Sequence, residues 1–214
     1  MMNQQKPEQV WMDPDGRLAV REVFRSIQGE GPDAGEPAVF VRLAGCNLCC
    51  PWCDTDYTSE RTIYRPGELV ELIDQQGSGM VVLTGGEPFR QNIVPLIVAL
   101  SISWRVQIET NGSLPFFGPV SKVSVICSPK TSKLGAGMAE RVDALKYVGK
   151  AGMLDPDDGL PIGLARVPGV PVFLQPMDEG NEANNRANLE AVIDSCLEHG
   201  YRLSIQLHKL VGMP

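Results

Sequence analysis

The sequence predicts one α/β domain built as an incomplete TIM-like barrel of about six parallel strands with few helices. Short apolar runs alternate with helical patterns, which is typical of a mostly parallel sheet with right-handed crossovers. The chain has 214 residues, at the bottom of the range for an eight-unit barrel, and only three segments have a clear helical pattern. The conspicuous polar motifs all follow strands, where such sheets place their chemistry.

The predicted strands are short apolar runs that end in glycine, proline or polar residues. The run 80–84 is apolar up to its last residue, as expected for a strand buried on both faces. Segment 105–110 alternates and closes on Asn111 and Gly112, a strong turn signal. In chain order the predicted strands are 18–24, 38–43, 80–84, 105–110, 123–127, 143–148, 170–174 and 202–206.

Helices are predicted at 66–76, 92–100 and 185–199. Pro66 starts the first of them and Gly77 ends it, and Gly200 ends the last. Segment 26–32 is predicted to be a glycine-punctuated loop, and 149–170 is too rich in Gly, Pro and Asp for a helix. Residues 1–16 are expected to be a loose lead-in to a single domain spanning 1–214.

Composition excludes several classes of function. A formal charge of −7 and a pI near 4.9 argue against binding to nucleic acid. No apolar run reaches the ~20 residues of a membrane helix, and the N-terminus lacks the apolar core of a signal peptide. Six cysteines without an export signal predict a cytoplasmic protein that uses its thiols for metal chemistry.

The cysteine loop (residues 46–55) follows the strand 38–43. Its spacing is C-x3-C-x2-C if Cys46, Cys50 and Cys53 are the ligands, and Cys49 is then an extra thiol. Iron–sulfur clusters are usually held by four cysteines, so three leave one iron open to another ligand. The register Cys46, Cys49 and Cys53 is the alternative.

Zinc is a competing interpretation of these thiols, because Cys-x2-Cys is half of a common structural site. A second ligand pair should then complete the tetrahedron. Cys127 and Cys196 are isolated, and His199 and His208 do not form a pair. Buried or disulfide-bonded cysteines are the remaining alternative.

Polar groups also follow the other predicted strands. The glycines of segment 85–88 allow close approach of the backbone to a ligand, and Glu87 can accept hydrogen bonds from an ammonium group. Glu109 and Asn111 end the next strand and are candidates for ribose or substrate contacts. Ser128 and Lys130 suit a carboxylate or a hydroxyl, and 175–178 offers backbone groups to an adenine. Each of these positions is also compatible with an ordinary turn.

The cysteine loop together with segment 85–88 resembles the radical S-adenosylmethionine (SAM) superfamily. Four stretches in order, namely 27–31, Arg42 with 46–55, 84–88, and His208 with Pro214, resemble the 7-carboxy-7-deazaguanine synthase family. The matches run from about residue 22 to the C-terminus. Cys49 and segment 149–170 have no counterpart in the family pattern.

The resemblance implies conversion of 6-carboxy-5,6,7,8-tetrahydropterin to 7-carboxy-7-deazaguanine with loss of ammonia, in queuosine or other 7-deazapurine biosynthesis. It implies a [4Fe–4S] cluster, SAM and Mg²⁺ as cofactors. A 5′-deoxyadenosyl radical would abstract the C6 hydrogen of the pterin before the ring contracts. It also implies a homodimer and a reductase such as flavodoxin.

The resemblance also implies a role for each matching residue. The cluster ligands are Cys46, Cys50 and Cys53, and the Mg²⁺ ligand is Thr55. The SAM contacts are Gly86, Glu87, Ser128, Pro129, Lys130, Gln175, Pro176, Met177 and Asp178. Glu109 is also predicted to contact SAM, from its place at the end of a strand. The substrate contacts are Ile27, Gln28, Gly29, Glu30, Arg42, Thr84, His208 and Pro214.

Three rival functions remain open from the sequence. A glycyl-radical enzyme activase would share the cysteine loop and 85–88 but act on a protein. An iron–sulfur electron carrier would need a fourth ligand and no SAM pocket. A zinc-binding interaction module would contain zinc rather than iron.

Overall fold

The structure is a computed structural model that describes residues 3–77, 79–116, 118 and 122–213. The strands are β1 (Leu18–Ile27), β2 (Pro37–Leu43), β3 (Thr62–Tyr64), β4 (Met80–Gly85), β5 (Arg105–Thr110), β6 (Val123–Cys127), β7 (Ala144–Gly149), β8 (Val172–Pro176) and β9 (Arg202–Leu203). The helices are α1 (Pro66–Gln76), α2 (Val94–Leu100), α3 (Glu182–His199) and α4 (Leu207–Leu210). Two 3-10 turns span Gly31–Asp33 and Pro88–Arg90.

The described strands form one sheet in the order β3-β1-β2-β4-β5-β6-β7-β8-β9. From β2 through β4 to β9, each neighbouring pair is parallel. Within the described residues, β3 and β9 are the two edges of the sheet, so the barrel is open. This confirms the predicted incomplete barrel, with the short β9 as a seventh parallel strand.

One edge of the sheet is antiparallel, which the sequence did not predict. β1 pairs antiparallel with both β2 and β3. The connection 28–36 is shorter than the dozen or so residues that a parallel crossover needs, so β1 and β2 form a hairpin. β1 also extends to Ile27, into the predicted loop. β3 and α4 contain three and four residues, too few for a periodic pattern to reveal them.

The three predicted helices are present, and α2 and α3 differ from the prediction at their starts. α1 has the predicted bounds and ends at Gly77, whose φ of 62° suits glycine. α3 begins at Glu182 because the side chain of Asn181 accepts a hydrogen bond from the backbone N–H of Asn184. None of the described helices has the length and apolar character to cross a membrane.

The two faces of the sheet differ in chemistry. On the outer face, strand residues such as Val81 and Ile108 join helix residues such as Ile73 and Leu96 in one buried apolar cluster. Because side chains alternate along a strand, the neighbouring residues face the barrel interior. The interior includes the buried polar side chains of Gln107, Lys146 and Gln175. Buried polar groups in a barrel interior are typical of a ligand site.

Residues 3–16 contain no helix or strand, yet they are fixed against the domain. The backbone N–H of Asn3 donates to the carbonyl of Pro51 at 2.9 Å, and that of Trp11 donates to the carbonyl of Arg90 at 2.8 Å. These bonds correct the expectation of a loose lead-in. The single-domain boundary stays a prediction.

Candidate active site

Parallel pairing places the ends of β2 and β4 side by side. Leu43, the last residue of β2, is in register with Gly85, the last residue of β4. The cysteine loop leaves from β2 and segment 85–88 leaves from β4. The two segments therefore start next to each other, at the carboxyl edge of the sheet.

The four thiols of the cysteine loop have unequal surroundings. Cys46 is buried, Cys50 and Cys53 are half-buried, and Cys49 is exposed; all four are free. Burial raises the pKa of Cys46 to about 11 and also raises the pKa of Cys50 and Cys53. These three thiols are therefore protonated at neutral pH until a metal displaces the protons. The exposed Cys49 is set apart from them.

The donor set fits an iron–sulfur cluster in its chemistry. Three buried or half-buried thiols lie on one loop, as thiolate ligation of a cluster requires. Among the described residues, no three His, Cys, Asp or Glu side chains stand ready to hold a single metal ion.

Segment 85–88 packs directly on the start of the cysteine loop. The backbone N–H of Glu87 donates to the carbonyl of Gly45 at 3.0 Å. A Cβ at Gly86 would lie 2.1 Å from the carbonyl oxygen of Gly45 and 2.8 Å from the Cβ of Cys46. Only glycine allows this approach, so the two motifs form a single structural unit.

Glu87 joins three segments through its carboxylate. It is 0% exposed and accepts hydrogen bonds from the backbone N–H of Phe89 at 3.0 Å and of Asn111 at 2.7 Å. The hydroxyl of Thr110 also donates to it at 2.8 Å. Burial outweighs these hydrogen bonds and raises the pKa of Glu87 to about 7. In this structure Glu87 ties β5 to segment 85–88, and its contact with SAM stays a prediction.

Asn111 points toward the first thiol. Its amide nitrogen lies 3.9 Å from Sγ of Cys46 and donates to Oδ1 of Asn47 at 3.0 Å. Ser113 completes the network, because its hydroxyl accepts from the Asn47 amide at 2.8 Å. Asn47 and Ser113 were not predicted as site residues from the sequence. The turn signal at 111–112 could have indicated that polar side chains gather here.

Lys130 places a buried positive charge near the thiols. Its Nζ donates to the carbonyl of Ser128 at 3.0 Å and to the Ser128 hydroxyl. Burial lowers the pKa of Lys130, while its charge favours the thiolate forms of Cys50 and Cys53. Pro129 between them is buried. This cation would help to stabilise an anionic group bound at the loop.

Glu109 lies at the centre of the interior polar side chains. Its carboxylate accepts hydrogen bonds from Gln28 at 3.0 Å, from Gln107 at 3.3 Å and from the hydroxyl of Thr84 at 3.3 Å. Nζ of Lys146 lies 3.9 Å away. The structure therefore groups Glu109 with the predicted substrate contacts Gln28 and Thr84. Its predicted contact with SAM stays untested.

Glu30 and Lys146 form a buried ion pair in the same interior. Glu30 also accepts hydrogen bonds from the amides of Gln206 at 2.9 Å and Gln175 at 3.3 Å. Burial alone would raise the pKa of Glu30, but Lys146, Gln206 and His208 together hold it below its usual value. Lys146 and Gln206 were not predicted as site residues from the sequence. A lysine inside the apolar strand 144–149 was the available signal for Lys146.

Arg42 and Thr55 lie close together at the carboxyl end of β2. The guanidinium of Arg42 donates to Glu22 at 2.7 Å and lies 3.5 Å from the hydroxyl of Thr55. It also lies over the ring of Phe24, 5.4 Å from the centroid. The carboxylate of Asp54 is 3.5 Å from the same hydroxyl. The carboxyl end of β2 therefore brings together a guanidinium, a hydroxyl and a carboxylate.

The C-terminal segment closes over the end of β1. The backbone N–H of Leu207 donates to the carbonyl of Gly29 at 3.0 Å, and His208 covers Gly29. Lys209 links Asp54 at 3.0 Å with Asp178 at 3.2 Å. Pro214 lies outside the described residues.

Segment 175–178 ends β8 at the same edge of the sheet. Met177 donates its backbone N–H to the carbonyl of Gly149 at 2.8 Å, and Pro176 is in register with Gly149. The structure thus brings the described candidate residues to one edge of the sheet, grouped around the thiols, around Glu109 and Glu30, and around Thr55.

Comparison with known proteins identifies close relatives. A protein of Rhodospirillum rubrum called 7-carboxy-7-deazaguanine synthase is 47% identical, with 93% of this chain and 94% of that protein covered. Proteins of the same name from Rickettsia prowazekii and Bacteroides thetaiotaomicron are 33% and 37% identical and cover 97% and 91% of this chain. Of those two relatives, 94% and 97% are covered.

A solved structure supports the fold. The crystal structure of QueE from Escherichia coli superposes with a TM-score of 0.72 at 24% identity, over 90% of this chain and 95% of that one. No family model matches the sequence.

Proposed function

Because this chain belongs to the 7-carboxy-7-deazaguanine synthase family, whose members are radical SAM lyases, we propose in detail how its residues serve the reaction. The reaction converts 6-carboxy-5,6,7,8-tetrahydropterin to 7-carboxy-7-deazaguanine and ammonia. None of the relatives named above is an activase, an electron carrier or a zinc module. The radical mechanism and the residue roles below are proposals.

The packing of segment 85–88 on the cysteine loop is the observation that supports this function best. Gly86 leaves no room for a Cβ against Cys46, so a ligand at one segment also meets the other. An electron carrier needs only the cysteine loop and does not require segment 85–88 beside it. An enzyme that binds a small molecule at its cluster requires a second segment such as 85–88 to hold that molecule.

Cys46, Cys50 and Cys53 would hold a [4Fe–4S] cluster, with SAM at the open iron. When bound there, SAM would supply the radical chemistry that starts the reaction at C6 of the pterin. The backbone at Gly86 would then contact the methionine part of SAM, as would the ends of β6 and β8.

The substrate would occupy the barrel interior. Pterins present N–H donors along their pyrimidine edge, and Glu30 and Glu109 are acceptors in this interior held in place by amide side chains. Lys146 pairs with Glu30 and lies 3.9 Å from Glu109, so it offsets part of their negative charge. His208 covers the Gly29 side of this pocket and would exclude water there.

Arg42 would bind the substrate carboxylate through its planar guanidinium. Thr55, whose hydroxyl lies 3.5 Å from Arg42, would supply one ligand to Mg²⁺ beside that carboxylate. Mg²⁺ takes oxygen ligands and usually keeps few from the protein, which fits the carboxyl end of β2. The nearby carboxylate of Asp54 would strengthen the site for a divalent cation.

A reductase such as flavodoxin would supply the electron, and the enzyme would act as a homodimer in the cytoplasm. These partners follow from the resemblance alone.

An anaerobic assay with reconstituted enzyme, reductant, SAM, Mg²⁺ and 6-carboxytetrahydropterin tests the proposal. The product is followed by mass spectrometry in the parent and in the matched variants Cys50→Ala and Cys49→Ala. We expect product from the parent and from Cys49→Ala, and none from Cys50→Ala. Product from Cys50→Ala but none from Cys49→Ala would establish Cys46, Cys49 and Cys53 as the cluster ligands. Cleavage of SAM to 5′-deoxyadenosine without formation of deazaguanine would show that 6-carboxytetrahydropterin is not the substrate.

A further inference from the structure

Residues 3–11, which we call the N-terminal strap, lie along the cysteine loop. The backbone N–H of Glu8 donates to the carbonyl of Cys46 at 2.7 Å. The backbone N–H of Asn3 donates to the carbonyl of Pro51 at 2.9 Å, and its side-chain amide donates to the carbonyl of Cys50 at 3.2 Å. The strap therefore holds the backbone of two of the three proposed cluster ligands.

Gln5 clamps the other end of the cysteine loop with both ends of its amide. Its Nε2 donates to the carbonyl of Thr55 at 2.8 Å. Its Oε1 accepts hydrogen bonds from the backbone N–H of Tyr57 at 2.7 Å and of Thr58 at 3.2 Å. One side chain thus satisfies three backbone groups of a segment that contains no helix or strand.

The strap is anchored by a buried arginine. The carboxylate of Glu8 accepts two hydrogen bonds from Arg61, at 2.7 and 2.9 Å, and lies 3.3 Å from Arg90. Arg90 is 3% exposed and donates to the carbonyls of Gln9 at 2.6 Å and Ala44 at 3.0 Å. Arg90 therefore joins the strap to the residues from which the cysteine loop leaves the sheet.

We propose that the N-terminal strap is part of the cluster site and that Gln5 is a positioning residue in it. Gln5 and Asn3 hold the cysteine loop in the conformation that retains the cluster. A loop held by side chains of another segment keeps its ligands in place, whereas a loop solvated by water exchanges between conformations. The inference rests on the proposed function only in that the cysteine loop binds iron and sulfide.

The neighbour of Gln5 provides a matched control. Gln4 is exposed, and its side chain makes no hydrogen bond within the described part of the chain. The test is the rate at which a ferrous chelator removes iron from the reconstituted holoenzyme, followed anaerobically by the loss of the cluster absorbance. Gln5→Ala should lose iron about tenfold faster than the parent, because three backbone groups at the end of the cysteine loop lose a hydrogen-bond partner. Gln4→Ala should match the parent.

A conservative variant separates positioning from general stability. Gln5→Glu keeps the oxygen that accepts from Tyr57 and Thr58 but cannot donate to Thr55. Amide hydrogen exchange at Tyr57 in the holoenzyme should be fast in Gln5→Ala and close to the parent in Gln5→Glu. Asn3→Ala tests the same proposal if Gln5→Ala does not fold, and it should also accelerate iron loss.

Equal iron loss from Gln5→Ala and Gln4→Ala would overturn the role of the strap and leave the proposed function intact. A parent protein that never binds iron would overturn both.

Discussion

The side-chain amide of Asn111 lies 3.9 Å from Sγ of Cys46, with Nδ2 also donating to Asn47 at 3.0 Å. An N–H group beside a cluster sulfur stabilises the additional negative charge of the reduced state, and such hydrogen bonds tune the reduction potential of iron–sulfur clusters. Asn111 is therefore placed to affect how readily the cluster accepts an electron.

Replacement of Asn111 by Ala should lower the midpoint potential of the reconstituted cluster, because the reduced state loses a hydrogen-bond donor. A redox titration followed by electron paramagnetic resonance measures the shift. Asn184→Ala is the control, since Asn184 is exposed on α3. Identical potentials in the two variants would contradict the interaction.

The buried pair of Glu30 and Lys146 should dominate the stability of the barrel interior. Lys146→Met leaves a buried carboxylate without its cation, and at pH 7 we expect a loss of about 3–5 kcal/mol in the free energy of unfolding of the metal-free protein. The control is Lys150→Met, because Lys150 pairs with Glu179 at 2.7 Å at the surface. That variant should lose at most about 1 kcal/mol.

The pH dependence of this loss gives a second readout by urea denaturation. The pKa of Glu30 is below its usual value of 4.5 in the folded parent, so the pair stabilises the parent above that pH and the contribution fades as the pH falls. In Lys146→Met the buried carboxyl is protonated more easily. The difference between parent and variant should therefore narrow from pH 7 to pH 4, and a constant difference would contradict the ion pair.

Glu87 should make the metal-free protein less stable as the pH rises. Its pKa is about 7 in the folded state against an ordinary 4.5, so the folded state binds more protons than the unfolded state between these values. Stability should then fall by up to about 3 kcal/mol as the pH rises from 4.5 through 7. Glu87→Gln should abolish this dependence, whereas Glu71→Gln, at an exposed position of α1, should keep it. Urea unfolding at a series of pH values measures both.

Local features of the fold were predictable from the sequence. α1, β5 and β6 have the predicted bounds because each is an apolar pattern ended by its own turn residues. The cysteine loop and segment 85–88 could be placed together because the carboxyl ends of parallel strands lie at the same edge of the sheet.

The missing parts of the site depend on contacts between distant residues. Lys146 meets Glu30 over a separation of 116 residues, and Gln206 meets it over 176. The contact of Gln5 with Thr55 likewise spans 50 residues. Such contacts depend on how the sheet curves and on where the ends of the chain pack against it. The periodicity of the sequence does not predict them.

Gly29 should be essential for the closure of the pocket by the C-terminal segment. A Cβ at Gly29 would lie 1.9 Å from Nδ1 of His208, far inside normal contact, so Gly29→Ala must displace His208 and the segment that begins at Leu207. We expect the KM for the tetrahydropterin to rise about tenfold, the equivalent of ~1.4 kcal/mol of lost binding, with a smaller change in kcat. Gly67→Ala is the control, since nothing lies within 4 Å of a Cβ there and the position is helical. It should leave the kinetics unchanged and raise the free energy of unfolding by up to about 1 kcal/mol. An unchanged KM in Gly29→Ala would show that His208 does not close the substrate pocket.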